Sequence, residues 1–426
     1  MFKNFWYAVE FIDDVKVGSP KKVKVLGQQL VLYRKPSDGK VVAMSDLCVH
    51  RGAALSEGTV KGDCIVCPYH GWEYGPDGAV QKIPAHPNKG LPRKARIDAY
   101  PVEEKYMMIW VFMGDLPEEE RPPIPDWSAV DDTETFRAVT GEFLWHSNYE
   151  RILENGVDVA HTPFVHGGVF GNPEKPEVPD YEIEESPWHC KVSVVLEPPA
   201  SKGLWGMITP NRTKDMTKRP PVPVSTTWWL PNAILLEVDT PIGQLKIFDV
   251  NIPIDEETTL VKFIALRTFF KGAWADRDAK RRVMNVLYQD RDVVDTVRPE
   301  LLPFDLSDEL HVKSDYNCVL YRRRRQQLID MGWGVEGNTI VGEGTAARVE
   351  ARVIPSPTRK EVPELASAWN FKEVRSRELL KSEAARRSAV STPLTQATPD
   401  IPAEEPESVA TTPVETPGTH PDNVTT

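Results

Sequence analysis

Cysteine is scarce in this chain: five in 426 residues, at Cys48, Cys64, Cys67, Cys190 and Cys318. A small, odd number argues against a disulfide framework and points to a reducing, cytoplasmic setting. Long apolar runs are missing as well, so a membrane-spanning helix is not expected. The opening Met1–Trp6 is too short and too mixed for a signal peptide. Positive charge is in deficit, with 51 Lys and Arg against 63 Asp and Glu and a net charge of -12. That balance argues against a nucleic-acid footprint. No G-x-G-x-x-G opens a strand–helix unit, so a dinucleotide should bind elsewhere, on another protein. Gly337–Gly344 is glycine-rich but lacks that pattern and is expected to be a loop.

What the chain does have is a matched pair of metal-binding loops. Cys48-Val49-His50 is followed, sixteen residues later, by Cys67-Pro68-Tyr69-His70. Two thiolates and two imidazoles in C-x-H and C-x-x-H pairs suit a [2Fe-2S] cluster of the Rieske kind, one iron on sulfur and the other on nitrogen. Gly52 and Gly71 follow the loops, where a side chain would obstruct approach to inorganic sulfide. Cysteine and histidine also build structural zinc sites. Against zinc stand the alternation of sulfur and nitrogen and the closeness of the ligands in C-x-H. Cys64 reads as a strand residue beside the second loop, and Trp72 as a cover for the cluster. Arg51 suits either the cluster's negative charge or a surface carboxylate.

Around these loops the chain reads as short strands and glycine turns, the pattern of a small antiparallel β domain. Phe5–Val9, Val23–Tyr33 about a turn, Val41–Met44 and Met107–Phe112 are the strand candidates, with Asp38-Gly39 and Asp77-Gly78 as hairpin turns. The proline- and acid-rich 117–125 is a connector. The expected domains are 1–120, 121–385 and a tail, 386–426. Within that tail, residues 391–426 hold seven prolines, six acidic residues and no lysine or arginine, a composition that predicts disorder.

The second constellation is Glu154-Asn155-Gly156-Val157-Asp158-Val159-Ala160-His161-Thr162-Pro163-Phe164-Val165-His166. Asn155, Asp158 and His161 are spaced by three, which places them on one helical face. Pro163 should end or bend that helix, letting His166 swing back. Two neutral imidazoles and one carboxylate make the facial arrangement of non-haem iron(II) sites; the alternative is a pair of ordinary cap or core histidines. The carboxylate must come from elsewhere, and residues 282–297 offer one. There Val283, Val286, Leu287, Val293, Val294 and Val297 form an apolar helical stripe with Asp290 at its centre. At 100° per residue Asp292 and Asp295 point to solvent. A carboxylate on a buried face is costly unless paired or metal-bound, so Asp290 is the ligand candidate. Its alternative is a buried pair with Arg281 or Arg282.

In this order and at this separation, the two motifs resemble the catalytic α subunit of the Rieske non-haem iron aromatic-ring-hydroxylating oxygenases. The resemblance covers residues 1–385, and the N-x2-D spacing and Phe5-Trp6-Tyr7-Ala8 are similar to the monooxygenase and demethylase branch. It implies an α+β fold: a β Rieske domain, then a helix-grip catalytic domain whose curved antiparallel sheet cradles a helix. It implies that Cys48, His50, Cys67 and His70 hold the cluster and that His161, His166 and Asp290 hold a mononuclear Fe(II). Asp158, with Asn155 nearby, would bridge His70 of a neighbouring subunit to the local His161 in a ring-shaped homotrimer. Electrons would come from NAD(P)H only through a reductase or ferredoxin. O2 would then hydroxylate, dihydroxylate or oxidatively demethylate an aromatic or related cyclic substrate. The alternative is a Rieske electron-transfer protein without oxygenase activity.

Strands are expected at Trp188–Leu196, Thr226–Leu236, Gln244–Ile252 and Thr258–Thr268. Trp145, Phe164, Trp228 and Phe248 are pocket candidates or, equally, core aromatics. The run Tyr321-Arg322-Arg323-Arg324-Arg325 is either a solvated face or a surface for an acidic partner.

Overall fold

β-Branched and aromatic residues in short runs between turns build the first 120 residues into three small antiparallel sheets. The strands are β1 (Phe5–Phe11), β2 (Lys21–Val25), β3 (Gln28–Arg34), β4 (Val41–Ser45), β5 (Thr59–Lys61), β6 (Cys64–Val66), β7 (Glu73–Tyr74), β8 (Val80–Lys82), β9 (Ala99–Tyr100), β10 (Val102–Lys105) and β11 (Met108–Met113). They pair in the orders β1-β11-β10, β2-β3-β4-β9 and β5-β6-β7-β8. The third sheet carries the cysteine–histidine loops. Its core joins Cys48, Cys67, Ile65 and Tyr74 to Val31, Tyr33 and Met44 of the second sheet. The computed structural model describes residues 1–167, 171–197, 220–335, 339–342, 345–348, 353–362 and 365. The tail at 386–426 lies outside them. The described residues all fall within one unit, Met1–Ser391.

Residues beyond the connector form a seven-stranded antiparallel sheet. It is built from β12 (Arg137–Trp145), β13 (Glu182–Glu185), β14 (His189–Leu196), β15 (Val222–Trp229), β16 (Ala233–Thr240), β17 (Gly243–Pro253) and β18 (Thr259–Arg267). Their order is β12-β18-β17-β16-β15-β14-β13. Between β12 and β13 lie helices α1 (Tyr149–Val157) and α2 (Thr162–Val165); after β18 come α3 (Asp276–Val294) and α4 (Tyr316–Asp330). Val139, Ile247, Phe263 and Ala265 on one face of the sheet pack against Val283, Met284 and Leu287 of α3. Trp145 and Val261 pack with Ile152 of α1 and Val294 of α3. One sheet face thus holds the two helices that flank the second constellation. Lys262 of β18, 2% exposed, ties this sheet to Glu10 of β1 at 2.6 Å.

Two sequence expectations change. Thr226–Leu236 is not one strand but the end of β15 and the start of β16, joined at Leu230-Pro231-Asn232. Proline cannot donate to a ladder, so the run breaks there. Gly337–Gly344 is not only loop: β19 (Thr339–Gly342) pairs with β20 (Thr345–Arg348).

Candidate metal centres

The two cysteine–histidine loops have the same backbone closure. Cys48 N–H donates to the Ala53 carbonyl at 2.9 Å, and Gly52 N–H to the Cys48 carbonyl at 2.8 Å. Cys67 N–H donates to the Trp72 carbonyl at 2.8 Å, and Gly71 N–H to the Cys67 carbonyl at 3.0 Å. Gly52 and Gly71 both stand at φ 70, a left-handed conformation that favours glycine. The closure buries both cysteines, each 1% exposed, and leaves the histidines outward. His50 and His70 rings lie 4.5 Å apart, and His50 stacks on Trp72 at 4.6 Å. The buried His50 Nδ1 has no hydrogen-bond partner among the described residues, which leaves it available to a metal. Tyr74 hydroxyl lies 3.0 Å from Cys48 Sγ and accepts the Val49 N–H at 3.1 Å. Two inward sulfurs and two outward imidazoles on paired loops fit a cluster with one histidine-bound iron.

The second constellation also converges, but not on one helical face. Helix α1 is capped at its start by Asn148, whose side chain accepts the Glu150 N–H, and it ends at Val157. Asp158 is extended, with ψ 131. Its carboxylate accepts the N–H of Ala160 at 2.8 Å and of His161 at 3.1 Å, starting a new turn. Pro163 therefore lies at the start of α2, where its missing N–H costs nothing, instead of ending a longer helix. Asn155 sits in the last turn of α1. Among the described residues, no hydrogen bond joins its side chain to the histidines or Asp290.

His161, His166 and Asp290 do meet: one ligand atom from each lies within 4.8 Å of the others. The His161 and His166 Nε2 atoms are 3.2 Å apart. Asp290 Oδ1 is 3.0 Å from His166 Nε2 and 3.5 Å from His161 Nε2. Asp290 is 7% exposed on α3, between the buried Val283 and Val294. Val293 lies off that stripe at 44% exposed. Neither Arg281 nor Arg282 reaches Asp290; both pair with Asp278. Asp295 does not point to solvent, since it takes the Ser147 hydroxyl at 2.5 Å.

Each outer imidazole nitrogen faces an orienting group. His161 Nδ1 approaches Asp158 Oδ2 at 3.4 Å, an ion-pair approach longer than a closed hydrogen bond. His166 Nδ1 bonds Gln289 Oε1 at 3.0 Å. Gln289 escaped the sequence reading, although it directly precedes Asp290. Outer partners of this kind fix the ring tautomer and aim the other nitrogen at a metal. Burial works to push the His161 imidazole down, but the Asp158 and Asp290 carboxylates outweigh it and lift it to about 9. Burial likewise opposes ionisation of Asp290, yet the two histidines hold its carboxyl below the usual range. This nitrogen and oxygen donor set fits a divalent iron with open positions.

The arginine run is neither a solvated face nor a docking surface, except at Arg323. Arg322 pairs with Glu154 at 2.5 Å and Glu309 at 2.6 Å; Arg325 pairs with Glu150 at 2.7 Å; and Arg324 pairs with Glu185 at 2.7 Å. Glu150 and Glu154 belong to α1, so α4 grips the helix that leads into Asp158 and His161. Of the pocket aromatics, Trp145, Trp228 and Phe248 are core, and Phe164 is exposed.

Residues 5–101 match the Rieske [2Fe-2S] domain family. Residues 145–331 match the vanillate O-demethylase oxygenase C-terminal domain. The chain is 30% identical to the methylxanthine N1-demethylase NdmA of Pseudomonas putida over 335 residues, 76% of this chain and 89% of that protein. The chain belongs to the Rieske non-haem iron oxygenases. A vanillate O-demethylase oxygenase subunit from a Pseudomonas strain is 34% identical over 42% of this chain and 48% of its own length. A solved structure of an NdmA variant with caffeine superposes at TM-score 0.64 with 30% identity, covering 78% of this chain and 92% of that one. This oxygenase therefore combines O2 with electrons from a reductase or ferredoxin to oxidise a small molecule. A carrier would not need the catalytic domain, which sets that alternative aside. No helix among the described residues is long and apolar enough to cross a membrane.

Proposed function

We propose that this oxygenase removes a methyl group from a ring nitrogen or oxygen of a small cyclic or aromatic substrate. In this reading the division near residue 120 separates an electron-entry domain, 1–120, from a catalytic domain, 121–385. Cys48, His50, Cys67 and His70 hold the [2Fe-2S] cluster, and His161, His166 and Asp290 hold a mononuclear Fe(II). The observation that carries it is the convergence of His161, His166 and Asp290 beneath the sheet, in a chain whose matched relatives include named N- and O-demethylases.

Bound iron would supply O2 binding and oxidising power. Overall, one oxygen atom enters the methyl C–H bond and the other leaves as water, with two electrons and two protons consumed. A hydroxymethyl group on nitrogen or oxygen then loses formaldehyde and leaves N–H or O–H behind. The chain's own residues hold the ligands in place: Asp158 fixes the turn that carries His161, and Gln289 sets the orientation of His166. NAD(P)H enters only through the partner reductase or ferredoxin.

Exit of the electron through His70 to a neighbour's Asp158, in a homotrimer, is supported by the exposure of His70 and Tyr69 at the loop tip. The half-buried Asp158 beside His161 supports it from the other side. Asn155 is assigned to the same junction on its place in α1. Five cysteines, few and odd in number, support a reducing, cytoplasmic setting. The test is O2 uptake by the iron-loaded protein with a surrogate reductase and a panel of N-methyl and O-methyl ring compounds. Formaldehyde released in step with O2 supports the reading. Coupled uptake that yields a ring alcohol or a cis-diol instead, the latter a dioxygenase outcome, refutes demethylation.

A further inference from the structure

Among the described residues, the buried acids pair with a cation or a hydroxyl or meet the metal-site histidines, with one exception. Glu10, Asp98, Glu150 and Glu154 each meet a lysine or arginine. Asp46 takes the Ser56 hydroxyl and N–H, and Asp290 meets the histidines. Asp249 is 8% exposed, and its Oδ1 has no hydrogen-bond partner among the described residues. A buried oxygen left so is costly and persists where something else satisfies it.

Its position says what that is. On β17, side chains alternate between the two faces. Leu245 and Ile247 pack against α3, so Asp249 is on the same face. Its cross-strand partners are Ile234 of β16 and Phe263 of β18. Phe263 is part of the core under α3. Ile234 presses on α1, because a Cβ on Gly156 would lie 2.6 Å from its Cδ1. Asp249 therefore sits between α1, which leads to His161 and His166, and α3, which carries Asp290. Burial, with the Asp290 charge adding, pushes its carboxyl up to about 8. Two further buried oxygens on this face, Thr226 Oγ1 and Asn251 Oδ1, also have no partner among the described residues. The Asp249 and Asn251 oxygens accept, the Thr226 hydroxyl can donate or accept, and Trp145 Nε1 on the same face is a donor without a partner among the described residues; at Asp249 Oδ1 the missing group is a donor.

We propose that Asp249 is the polar anchor of the substrate pocket, receiving an N–H or O–H donor from a neutral or cationic ring compound. This rests on the oxygenase reading above and names its substrate class: rings that keep a free donor besides the methyl group presented to the metal site. A ring whose donor is methylated leaves Asp249 unsatisfied, and a ring bearing a carboxylate there adds a second buried anion beside the Asp290 charge that already raises Asp249.

The test is calorimetric binding to the iron-loaded protein of matched probes. The panel is 3-methoxyphenol, 1,3-dimethoxybenzene and 3-methoxybenzoate, with 1-methyluracil, 1,3-dimethyluracil and 1-methylorotate. The donor-bearing member of each series should bind at least about tenfold tighter than its blocked and anionic counterparts, the scale of one buried hydrogen bond. Asp249→Leu should erase that preference through KM with a smaller change in kcat. Asp249→Asn, which keeps an acceptor, should retain it. An unchanged ranking in Asp249→Leu, tighter binding of the blocked or anionic members, or no binding by any probe overturns the proposal. Iron content, cluster spectrum and O2 uptake of the wild-type protein report separately on the oxygenase reading. A loaded, O2-consuming enzyme with the wrong ranking refutes only the anchor.

Discussion

Loading of the mononuclear site should compete with a proton on His161, and the competition has a defined sign and size. In the metal-free chain the Asp158 and Asp290 carboxylates overcome burial and hold this imidazole at about 9. A metal needs the same lone pair, so binding expels the proton. Because the pKa is raised, the proton is present throughout the neutral range. Apparent iron(II) affinity should therefore rise about tenfold per pH unit and level off near pH 9. Between about pH 7 and about pH 9 that is roughly 100-fold, or about 2.7 kcal/mol. Anaerobic chelator competition on the apo protein measures it directly. Asp158→Asn removes one of the two carboxylates and should move the plateau to lower pH, with Asp290 still in place. The same proton stabilises the metal-free fold. That contribution is complete below about 6.5, the ordinary histidine value, and is lost as pH rises through about 9. The apo protein should therefore melt at lower temperature above pH 9. Affinity that does not change between pH 7 and pH 9, or a profile indifferent to Asp158→Asn, refutes the reasoning.

Gln289→Leu removes the 3.0 Å bond that orients His166 and should weaken iron binding about 10- to 100-fold. Gln289→Glu, which keeps an acceptor, should lose much less by the same chelator assay. Tyr74→Phe removes the hydroxyl 3.0 Å from Cys48 Sγ. Redox titration of the cluster should show a midpoint lower by about 50 mV, the one-electron equivalent of roughly 1 kcal/mol; an unchanged potential would mean that the hydroxyl does not serve the sulfur. Arg322→Met strands the buried Glu154 at a cost of about 3–5 kcal/mol. Thermal unfolding should fall by roughly 10 °C, with iron occupancy falling too if α4 positions α1. A melt within a degree or two of wild type would show the ion-pair lattice to be dispensable.

How much could be read in advance depended on sequence separation. The cluster loops were legible because Cys48 and His50, and Cys67 and His70, sit two and three residues apart. Tight loops leave few ways to arrange such neighbours. Asp290 was legible for a different reason: helical periodicity placed a carboxylate on a buried stripe, and burial of an unpaired charge demands a partner. Inside the second constellation the same periodicity misled. Spacing by three put Asn155, Asp158 and His161 on one face, but a carboxylate that caps the next two N–H groups competes with helix continuation. The chain turns at Asp158.

The sequence by itself singled out the candidate donor sets, Cys48, His50, Cys67 and His70 for one site and His161, His166 and Asp290 for the other. Only the tertiary structure decided what surrounds them. Gln289 reaches His166 across 123 residues. Arg322 reaches Glu154 across 168, turning an apparently exposed basic run into a buried brace. Asp249 looks like any strand residue until its side chain is seen between α1 and α3, with no partner for its Oδ1 among the described residues. Contacts of that range leave no periodic trace, because the sheet that brings them together is itself assembled from distant strands.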